Sequence, residues 1–347
     1  MTERRAARLI SRLEDGDQEA YSELAALELQ SPPAHVIGVT GPPGSGKSTL
    51  TDKLIASFRS RGLRVGILAV DPSSPFSGGA ILGDRLRMQS HATDPGVFIR
   101  SLASRGKLGG LSRATVLAAK VLDAAGYQII IIETVGVGQS EVDIVRVADT
   151  VLLISVPGLG DEIQVLKAGI MEIGDIFVVN KADREGADRV VREIRVMLET
   201  QAMLKSGGRM ADTPDTLASR NAEILHHGSS GTGKPGEAET HESCAIEPLP
   251  PVMKTIAETG QGVEELAEAI LERYSRMDAD GELEARRVAA IKSQIRDLVA
   301  LQVHEQMSRD DGEILLAAQA SRVYDRSTDL VTAAREIFAE ISKGEQP

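Results

Sequence analysis

The sequence predicts an α/β protein with a mainly parallel sheet flanked by helices, plus helical extensions at the N- and C-terminal ends. From His35 onward, short apolar runs alternate with longer amphipathic segments, as in repeated β-α units of one sheet. The predicted strands are Val36–Thr40, Val65–Val70, Tyr127–Ile132, Val151–Val156, Asp175–Val179 and Pro251–Thr255, with Val97–Ile99 as a further candidate.

Both extensions show apolar residues at helical spacing. In the first 30 residues, Gly16 separates two short amphipathic pieces. After Gly281 a long charged segment carries an apolar stripe that includes Val288, Ile291 and Ile295. Between about residues 205 and 247 the periodicity disappears, and we expect a mobile insertion there. The expected division is a helical cap at 1–33, a central domain at 34–275 and a helical arm at 276–347.

Composition restricts the function classes. The chain has 347 residues and a formal net charge of −12, which argues against nucleic acid or an anionic membrane as partner. Cys244 is the only cysteine, so no intrachain disulfide can form. The first 30 residues have no apolar run typical of a signal peptide, and no run reaches the roughly 20 residues that span a bilayer. We therefore expect a cytoplasmic protein.

A phosphate-binding loop follows the first predicted strand. Residues 41–48 fit the pattern Gly-x-x-x-x-Gly-Lys-Ser, between an apolar strand and an amphipathic segment. Glycines let backbone N–H groups turn toward phosphate oxygens, Lys47 reaches the β and γ phosphates, and the Ser48 hydroxyl ligates Mg²⁺. Candidate nucleotide-binding residues are Gly41, Gly44, Ser45, Gly46, Lys47, Ser48 and Thr49. A second match at 228–235 has Pro235 in place of the hydroxyl residue, so we assign it to solvent.

An acidic residue ends the next central strand. Glu133 follows Ile129–Ile132, and Gly136 lies three residues further on, as expected for a sensor of Mg²⁺ and γ-phosphate. Asp is the usual acid at this position, and Glu is one methylene longer. Asp71 and Asp84 are further carboxylates that would complete the magnesium shell, and a turn or cap role is the alternative for each.

The strand Asp175–Val179 runs into Asn180-Lys181-Ala182-Asp183, the arrangement of guanine-specific sites. The Asp183 carboxylate accepts hydrogen bonds from guanine N1–H and the 2-amino group, whereas adenine offers neither in that geometry. About 130 residues after a valid phosphate loop and at a strand end, this tetrapeptide is a strong signal. The sequence therefore predicts GTP and GDP as ligands, with Asn180, Lys181 and Asp183 at the base.

The hydrolytic part of the site is incomplete in the sequence. Many GTPases place a glutamine that orients the attacking water directly after the sensor glycine, and this chain has Val137 there. An apolar side chain does not orient water, so slow intrinsic turnover is expected unless Gln139, another loop or a bound partner supplies the polar group. Lys47, Glu133 and Gln139 are the catalytic candidates from these motifs, and partner stimulation is the implication.

Further strings accompany these motifs, at Asp71–Pro75, Leu82–Arg85 and Glu133–Glu141. Together they resemble the MeaB/ArgK-like G proteins, which are GTPase chaperones of adenosylcobalamin-dependent acyl-CoA mutases such as methylmalonyl-CoA mutase. The resemblance covers most of residues 1–200. It implies Mg²⁺ handling by Ser48, Asp71, Asp84 and Glu133, and an acyl-CoA mutase as the partner.

The resemblance also implies features outside the motifs. A nucleotide-sensing loop is expected near Gly158–Lys167, with Lys167 as a catalytic candidate. Homodimerisation is expected through the C-terminal helices, which suits the stripe in Glu282–Met307. Family members have Thr-Ser-Ala in the base loop where this chain has Thr255-Ile256-Ala257, so Ile256 and Ala257 are carried over as base contacts. The chain also has no tryptophan, which family members commonly place before the last strand.

Two other functions remain open at this point. A nickel or zinc metal-insertion GTPase shares the phosphate-loop architecture, and His226, His227, His241 and Cys244 are its candidate ligands, although they lack a recognised zinc spacing. The third possibility is a kinase of arginine transport, the role implied by the family's older name. The Asp183 carboxylate disfavours the ATP donor that such a kinase requires.

Overall fold

The computed structural model describes residues 1–28, 32–72, 91, 93–104, 113–134, 144–158, 173–205, 249–308 and 310–343. Within this part of the chain, seven parallel strands form one sheet in the order β3-β2-β4-β1-β5-β6-β7. The strands are β1 His35–Thr40, β2 Val65–Pro72, β3 Val97–Ser104, β4 Ile129–Thr134, β5 Thr150–Ser155, β6 Ile176–Val179 and β7 Val252–Lys254. The α/β class and every predicted strand are confirmed.

The central strands are apolar along their whole length because helices cover both faces of the sheet. All six residues of β4 and all six of β5 are buried. A buried parallel strand needs apolar side chains in both directions, so continuous runs replace the alternating pattern of a half-exposed strand. The Ile129–Ile132 run was for this reason a sound predictor of a strand in the middle of the sheet.

Nine helices accompany the sheet in the described residues. They are α1 Glu3–Glu14, α2 Gln18–Ala25, α3 Lys47–Ser60, α4 Arg113–Ala124, α5 Ala187–Lys205, α6 Val263–Ala279, α7 Glu282–Met307, α8 Asp310–Tyr324 and α9 Leu330–Lys343. A short 3-10 helix covers Ile144–Arg146. The predicted break at Gly16 separates α1 from α2, and Gly16 has φ 78°.

Two apolar layers fix the helices on the sheet. On one face, α3 and α6 bury Leu50, Leu54, Leu266 and Ile270 against the strands. On the other face, α1 and α4 pack against the first half of the sheet, and α5 covers β5 and β6. Each fully buried side chain of this size contributes roughly 1.5–3 kcal/mol. The strands are therefore held firmly where their ends carry functional groups.

The remaining expectations about organisation have mixed outcomes. None of the helices in the described residues is both long and apolar enough to cross a membrane. The predicted insertion at about 205–247 lies outside the described residues apart from Lys205 at the end of α5. The division at residues 33 and 275 stays a prediction.

Candidate functional site

The candidate site lies at the carboxyl edge of the sheet, where several strands deliver their motifs. β1 runs into the phosphate loop, β4 contains Glu133, β6 runs into Asn180, and β7 runs into Thr255. Because all strands are parallel, these ends meet at one edge. Motifs separated by more than 200 residues in the sequence are brought together in this way.

The phosphate loop depends on glycines at two close approaches. Gly41 has φ 140°, and a Cβ there would collide with the backbone oxygen of Ile154 on β5. Gly46 has φ 86°, and a Cβ there would collide with the Asn180 side chain. Both positions combine positive φ with a lack of room, so glycine is the residue that fits. The loop is thus shaped by the neighbouring strands as well as by its own sequence.

Helix α3 begins at Lys47, directly after the loop. Its first turn leaves backbone N–H groups directed at the loop, which is the arrangement that favours anions. The Lys47 side chain is buried, and its Nζ donates to the backbone oxygens of Gly41 at 2.7 Å and Pro42 at 3.0 Å. The loop therefore holds a buried cation beside a helix N-terminus.

A hydroxyl and a carboxylate meet next to this cation. The Ser48 Oγ donates to Glu133 Oε1 at 2.6 Å, and both residues are buried. Glu133 reaches this point because β4 pairs in register with β1, with Glu133 opposite Val39. Two hard oxygen donors side by side are the kind of ligand set that suits Mg²⁺. The extra methylene of Glu does not keep the carboxylate away from Ser48.

Asn180 links the phosphate loop to the loop after β7. Its Nδ2 donates to the backbone oxygen of Ser45 at 2.8 Å. Its Oδ1 accepts from the backbone N–H of Ala257 at 3.1 Å and from the Thr255 hydroxyl at 3.2 Å. Asn180 is 1% exposed, so these bonds are made away from solvent. One side chain thereby fixes three segments of the site relative to one another.

The rest of the base motif is more open. Lys181 has φ 54°, and its Nζ donates to the backbone oxygen of Gly44 at 2.7 Å. Asp183 is exposed, so its carboxylate is accessible from solvent. Ile256 is half-buried and its N–H donates to the Gln261 oxygen at 2.9 Å, which closes the base loop as a turn. Thr49 is exposed on the first turn of α3.

Sequence reasoning missed the hydroxyl groups that hold the loops together. Thr255 was noted as part of the base loop, but its bond to Asn180 was not foreseen. The buried Thr134 hydroxyl donates to Thr40 Oγ1 at 3.2 Å, which ties the residue after Glu133 to the residue before Gly41. Each of the two strands ends in a threonine, but only the pairing of β1 with β4 shows that the two hydroxyls meet.

Several candidates lie outside the described residues. These are Asp84, Gly136, Gln139 and Lys167, and also the sensing loop beyond Gly158. Asp71 is described only as backbone of β2, paired with Ala103. The metal-ligand candidates His226, His227, His241 and Cys244 are likewise outside. Among the residues that are described, no group of three or more His, Cys, Asp or Glu is placed to hold a metal ion.

Comparison with known proteins gives consistent results. Residues 5–311 match the family described as methylmalonyl Co-A mutase-associated GTPase MeaB. A protein of Pyrococcus abyssi named as a GTPase is 43% identical over 345 residues, which cover 98% of this chain and 94% of its own. The methylmalonic aciduria type A homolog of Mus musculus, a protein named as mitochondrial, is 34% identical over 78% of this chain and 56% of its own.

A solved structure supports the fold. The crystal structure of an LAO/AO transport system kinase aligns with a TM-score of 0.54 at 22% identity, and the alignment covers 99% of each chain. At this identity the likeness concerns the arrangement of helices and strands and not the activity. It agrees with the parallel sheet and helical layers described above.

Proposed function

This chain belongs to the MeaB family of GTPases, and on that premise we propose that it is a GTP-driven chaperone of an adenosylcobalamin-dependent acyl-CoA mutase. In this role GTP binding and hydrolysis gate the loading or the protection of the cobalamin cofactor. The family description, which couples a GTPase to methylmalonyl-CoA mutase, supports this client class. The proposed compartment is the cytoplasm, in keeping with a single cysteine.

The observation that carries the nucleotide part is the convergence of three subsites. Lys47 and the α3 N-terminus form a phosphate subsite, Ser48 and Glu133 form an oxygen pair, and Asn180 joins the phosphate loop to the base loop. Guanine is selected by Asp183, whose exposed carboxylate accepts from the N1–H and 2-amino donors. A guanine nucleotide would span these subsites, with its phosphates at Lys47 and its base at Asp183.

Mg²⁺ fits the oxygen pair. Ser48 and Glu133 would hold it, and Asp71 and Asp84 are proposed to complete the shell. When bound, the ion supplies positive charge that neutralises the β and γ phosphates.

In the proposed reaction the γ-phosphoryl group passes to water. The Lys47 ammonium and the backbone N–H groups of the loop stabilise the charge on the phosphates, and the protein contributes mainly position and electrostatics. Gln139 and Lys167 are the proposed polar groups near the attacking water, because Val137 has no group to orient it. Slow turnover without a partner follows.

The arm provides support for a homodimer. On α7, Val288, Ile291, Ile295 and Leu298 are 43%, 43%, 55% and 38% exposed, although all are apolar. Their spacing of three, four and three residues is that of a coiled-coil seam. We propose that two copies bury these stripes against each other. Ile295→Glu should give monomers by light scattering, whereas Arg296→Glu, exposed on the same helix and outside the seam, should remain dimeric. If wild-type protein is monomeric at micromolar concentrations, the dimer proposal is wrong.

The chaperone role is tested by single-turnover GTP hydrolysis with and without candidate mutases. Linkage requires that a client whose affinity depends on nucleotide state also alters nucleotide affinity, and the proposed gating adds an effect on turnover. We expect an acyl-CoA mutase or its cobalamin-binding subunit to raise turnover at least about tenfold, or ~1.4 kcal/mol of barrier. Lys167→Ala should reduce this stimulation, and Lys53→Ala on α3 is the control.

The same assay separates the alternative client. Stimulation by a nickel or zinc enzyme precursor, together with unchanged turnover in the presence of every acyl-CoA mutase of the host, would make the protein a metal-insertion GTPase. Metal stoichiometry measured on the purified protein provides the second readout, since that class binds the metal it delivers.

A further inference from the structure

Two buried aspartates lie at the amino edge of the sheet, opposite the nucleotide site. Asp149 directly precedes β5 and accepts the backbone N–H of Val36 on β1 at 2.9 Å. Asp175 directly precedes β6 and accepts the backbone N–H of Val151 on β5 at 2.9 Å. The two residues are 4% and 6% exposed. Together they join the starts of β1, β5 and β6, which are neighbours in the sheet.

Two consecutive arginines of α7 neutralise these aspartates. Arg286 donates to both oxygens of Asp175, at 2.7 and 2.9 Å. Arg287 donates to both oxygens of Asp149, at 2.7 and 2.8 Å. Arg273 of α6 adds a third contact to Asp175 at 3.2 Å. Bidentate pairs of this kind fix geometry as well as charge.

The surroundings make these pairs hard to replace. Burial alone would lower the pKa of Arg286 and Arg287, but the hydrogen bonds and charges of Asp175 and Asp149 raise the pKa of both. Arg287 also donates to the Ala34 oxygen at 2.8 Å, on the residue before β1. The arm is thus attached to the start of each of the three strands through buried, oriented charges.

The same three strands determine the spacing of the nucleotide subsites. β1 leads directly into Gly41 and the phosphate loop, and β6 leads directly into Asn180. β6 has four residues, which at ~3.3 Å each extend over only ~13 Å. A shift or tilt at the start of such a short strand is carried to its end, since the strand is bonded on both sides and packed on both faces.

We propose that Arg286 and Arg287 are positioning residues for guanine nucleotide binding. By holding Asp175 and Asp149 they fix β1, β5 and β6, and so keep the phosphate subsite and the base subsite at the separation that one guanine nucleotide requires. The proposal rests on the nucleotide site assigned above. It differs from a purely structural role because it concerns the distance between subsites and not their individual formation.

The test compares a ligand that occupies both subsites with ligands that occupy one. GDP, guanosine and magnesium pyrophosphate are titrated calorimetrically into the full-length protein. Arg286→Met should lower the affinity for GDP about tenfold, because the base subsite and the phosphate subsite are no longer held at the separation that the nucleotide requires. The affinities for guanosine and for pyrophosphate should each fall by less than about twofold, because each ligand occupies one subsite. Arg287→Met should behave in the same way.

Matched variants keep the proposal falsifiable if Arg286→Met folds poorly. Arg286→Lys keeps the charge but loses the forked geometry, so an intermediate loss of GDP affinity is expected. Arg286→Met leaves the Asp175 carboxylate with only its longer Arg273 contact, at 3.2 Å; adding Asp175→Asn removes this under-compensated charge, and GDP affinity should recover by about half of the logarithmic loss. Arg296→Met, exposed on the same helix, is the control and should bind GDP like wild type.

Two results would overturn the inference. In the first, the arginine variants lose thermal stability but bind GDP as wild type does. In the second, the affinities for GDP, guanosine and pyrophosphate all fall by the same factor. Failure of the underlying site assignment is seen separately, because Asn180→Ala would then leave guanosine and GDP binding unchanged.

Discussion

The two edges of the sheet treat buried polar groups differently. At the carboxyl edge, Lys47, Asn180 and Lys181 donate to backbone oxygens of the phosphate loop, beside the N-terminus of α3. At the amino edge, Asp149 and Asp175 are matched by full positive charges and by backbone N–H groups. One edge is arranged to receive an anion, and the other is already neutral. The difference teaches that buried charge is organised for binding at the first edge and for attachment at the second.

Removing the cation of the carboxyl edge should have the largest effect. Lys47→Ala takes away the buried ammonium of the phosphate loop, and GTP affinity should fall at least about a thousandfold, or ~4 kcal/mol. Calorimetric titration with GTP and Mg²⁺ measures it, and Lys53→Ala on the same helix is the control. If Lys47→Ala keeps micromolar affinity for GTP, the assignment of the phosphate subsite is wrong.

Removing a cation of the amino edge should affect folding. Arg287→Ala leaves the Asp149 carboxylate buried without its guanidinium partner, and breaking a buried pair in this way costs about 3–5 kcal/mol. Urea unfolding, monitored by circular dichroism, gives the free energy of unfolding. The double variant Arg287→Ala with Asp149→Asn should lose less free energy of unfolding than Arg287→Ala alone. Equal losses in the single and double variants would show that the charge pair is not the cause.

The amino edge should also respond to pH through His35. This ring is buried, stacks on Tyr274 with centroids 4.2 Å apart, and bonds Thr150 Oγ1 at 2.9 Å through Nε2. The pKa of His35 is lowered from 6.5 to about 4: burial is the main cause and the charge of Arg287 adds to it, while Asp149 and Asp175 act in the opposite direction. The fold therefore favours the neutral ring.

The sign of the effect follows from proton uptake. Between pH 6.5 and about 4 the unfolded chain binds a proton that the folded chain does not, so stability falls as pH falls through this window. The loss from His35 should reach about 3 kcal/mol. Urea unfolding at pH 7 and pH 4.5 measures it against His35→Gln, which should show a smaller pH dependence. His304→Gln, at an exposed position, should behave like wild type; identical pH profiles for wild type and His35→Gln would contradict the assignment.

The smallest expected effect concerns base choice at the carboxyl edge. Asp183→Asn turns one acceptor into a donor that faces the guanine N1–H, so GTP affinity should fall about tenfold. The affinity for xanthine nucleotides, which carry a carbonyl in place of the 2-amino group, should rise relative to the affinity for GTP. Competition binding with GTP, XTP and ATP measures this, with Glu185→Gln as the control. An unaltered ratio of GTP to XTP affinity would remove Asp183 from the base subsite.

Much of the site was predictable because its motifs are local. The glycines, Lys47 and Ser48 form one continuous string, and the strand before it is apolar enough to be recognised without neighbours. Glu133 and Asn180 were found by the same rule, since each ends an apolar run. The structure brings Lys47, Ser48, Glu133, Asn180 and Ala257 together as expected, while their chemical roles stay predictions.

The arm shows where sequence reasoning stopped. The periodicity of α7 predicts an amphipathic helix that needs a partner surface, and the family resemblance assigns that surface to a second copy. In the structure the polar side, with Arg286 and Arg287, faces the domain, and the stripe with Ile291 and Ile295 is exposed. Periodicity gives the two faces of a helix but not which one points inward.

The sequence by itself determined the parallel α/β fold, the phosphate loop and the guanine motif, because each is written in a short stretch whose geometry follows from backbone preferences. Only the tertiary structure decided that Asn180 bonds to Ser45 and Ala257, that Thr134 pairs with Thr40, and that Arg286 and Arg287 neutralise two aspartates over 100 residues away. The physical reason is that hydrogen bonds and ion pairs between distant segments depend on strand order and register, which leave no pattern in the neighbouring sequence.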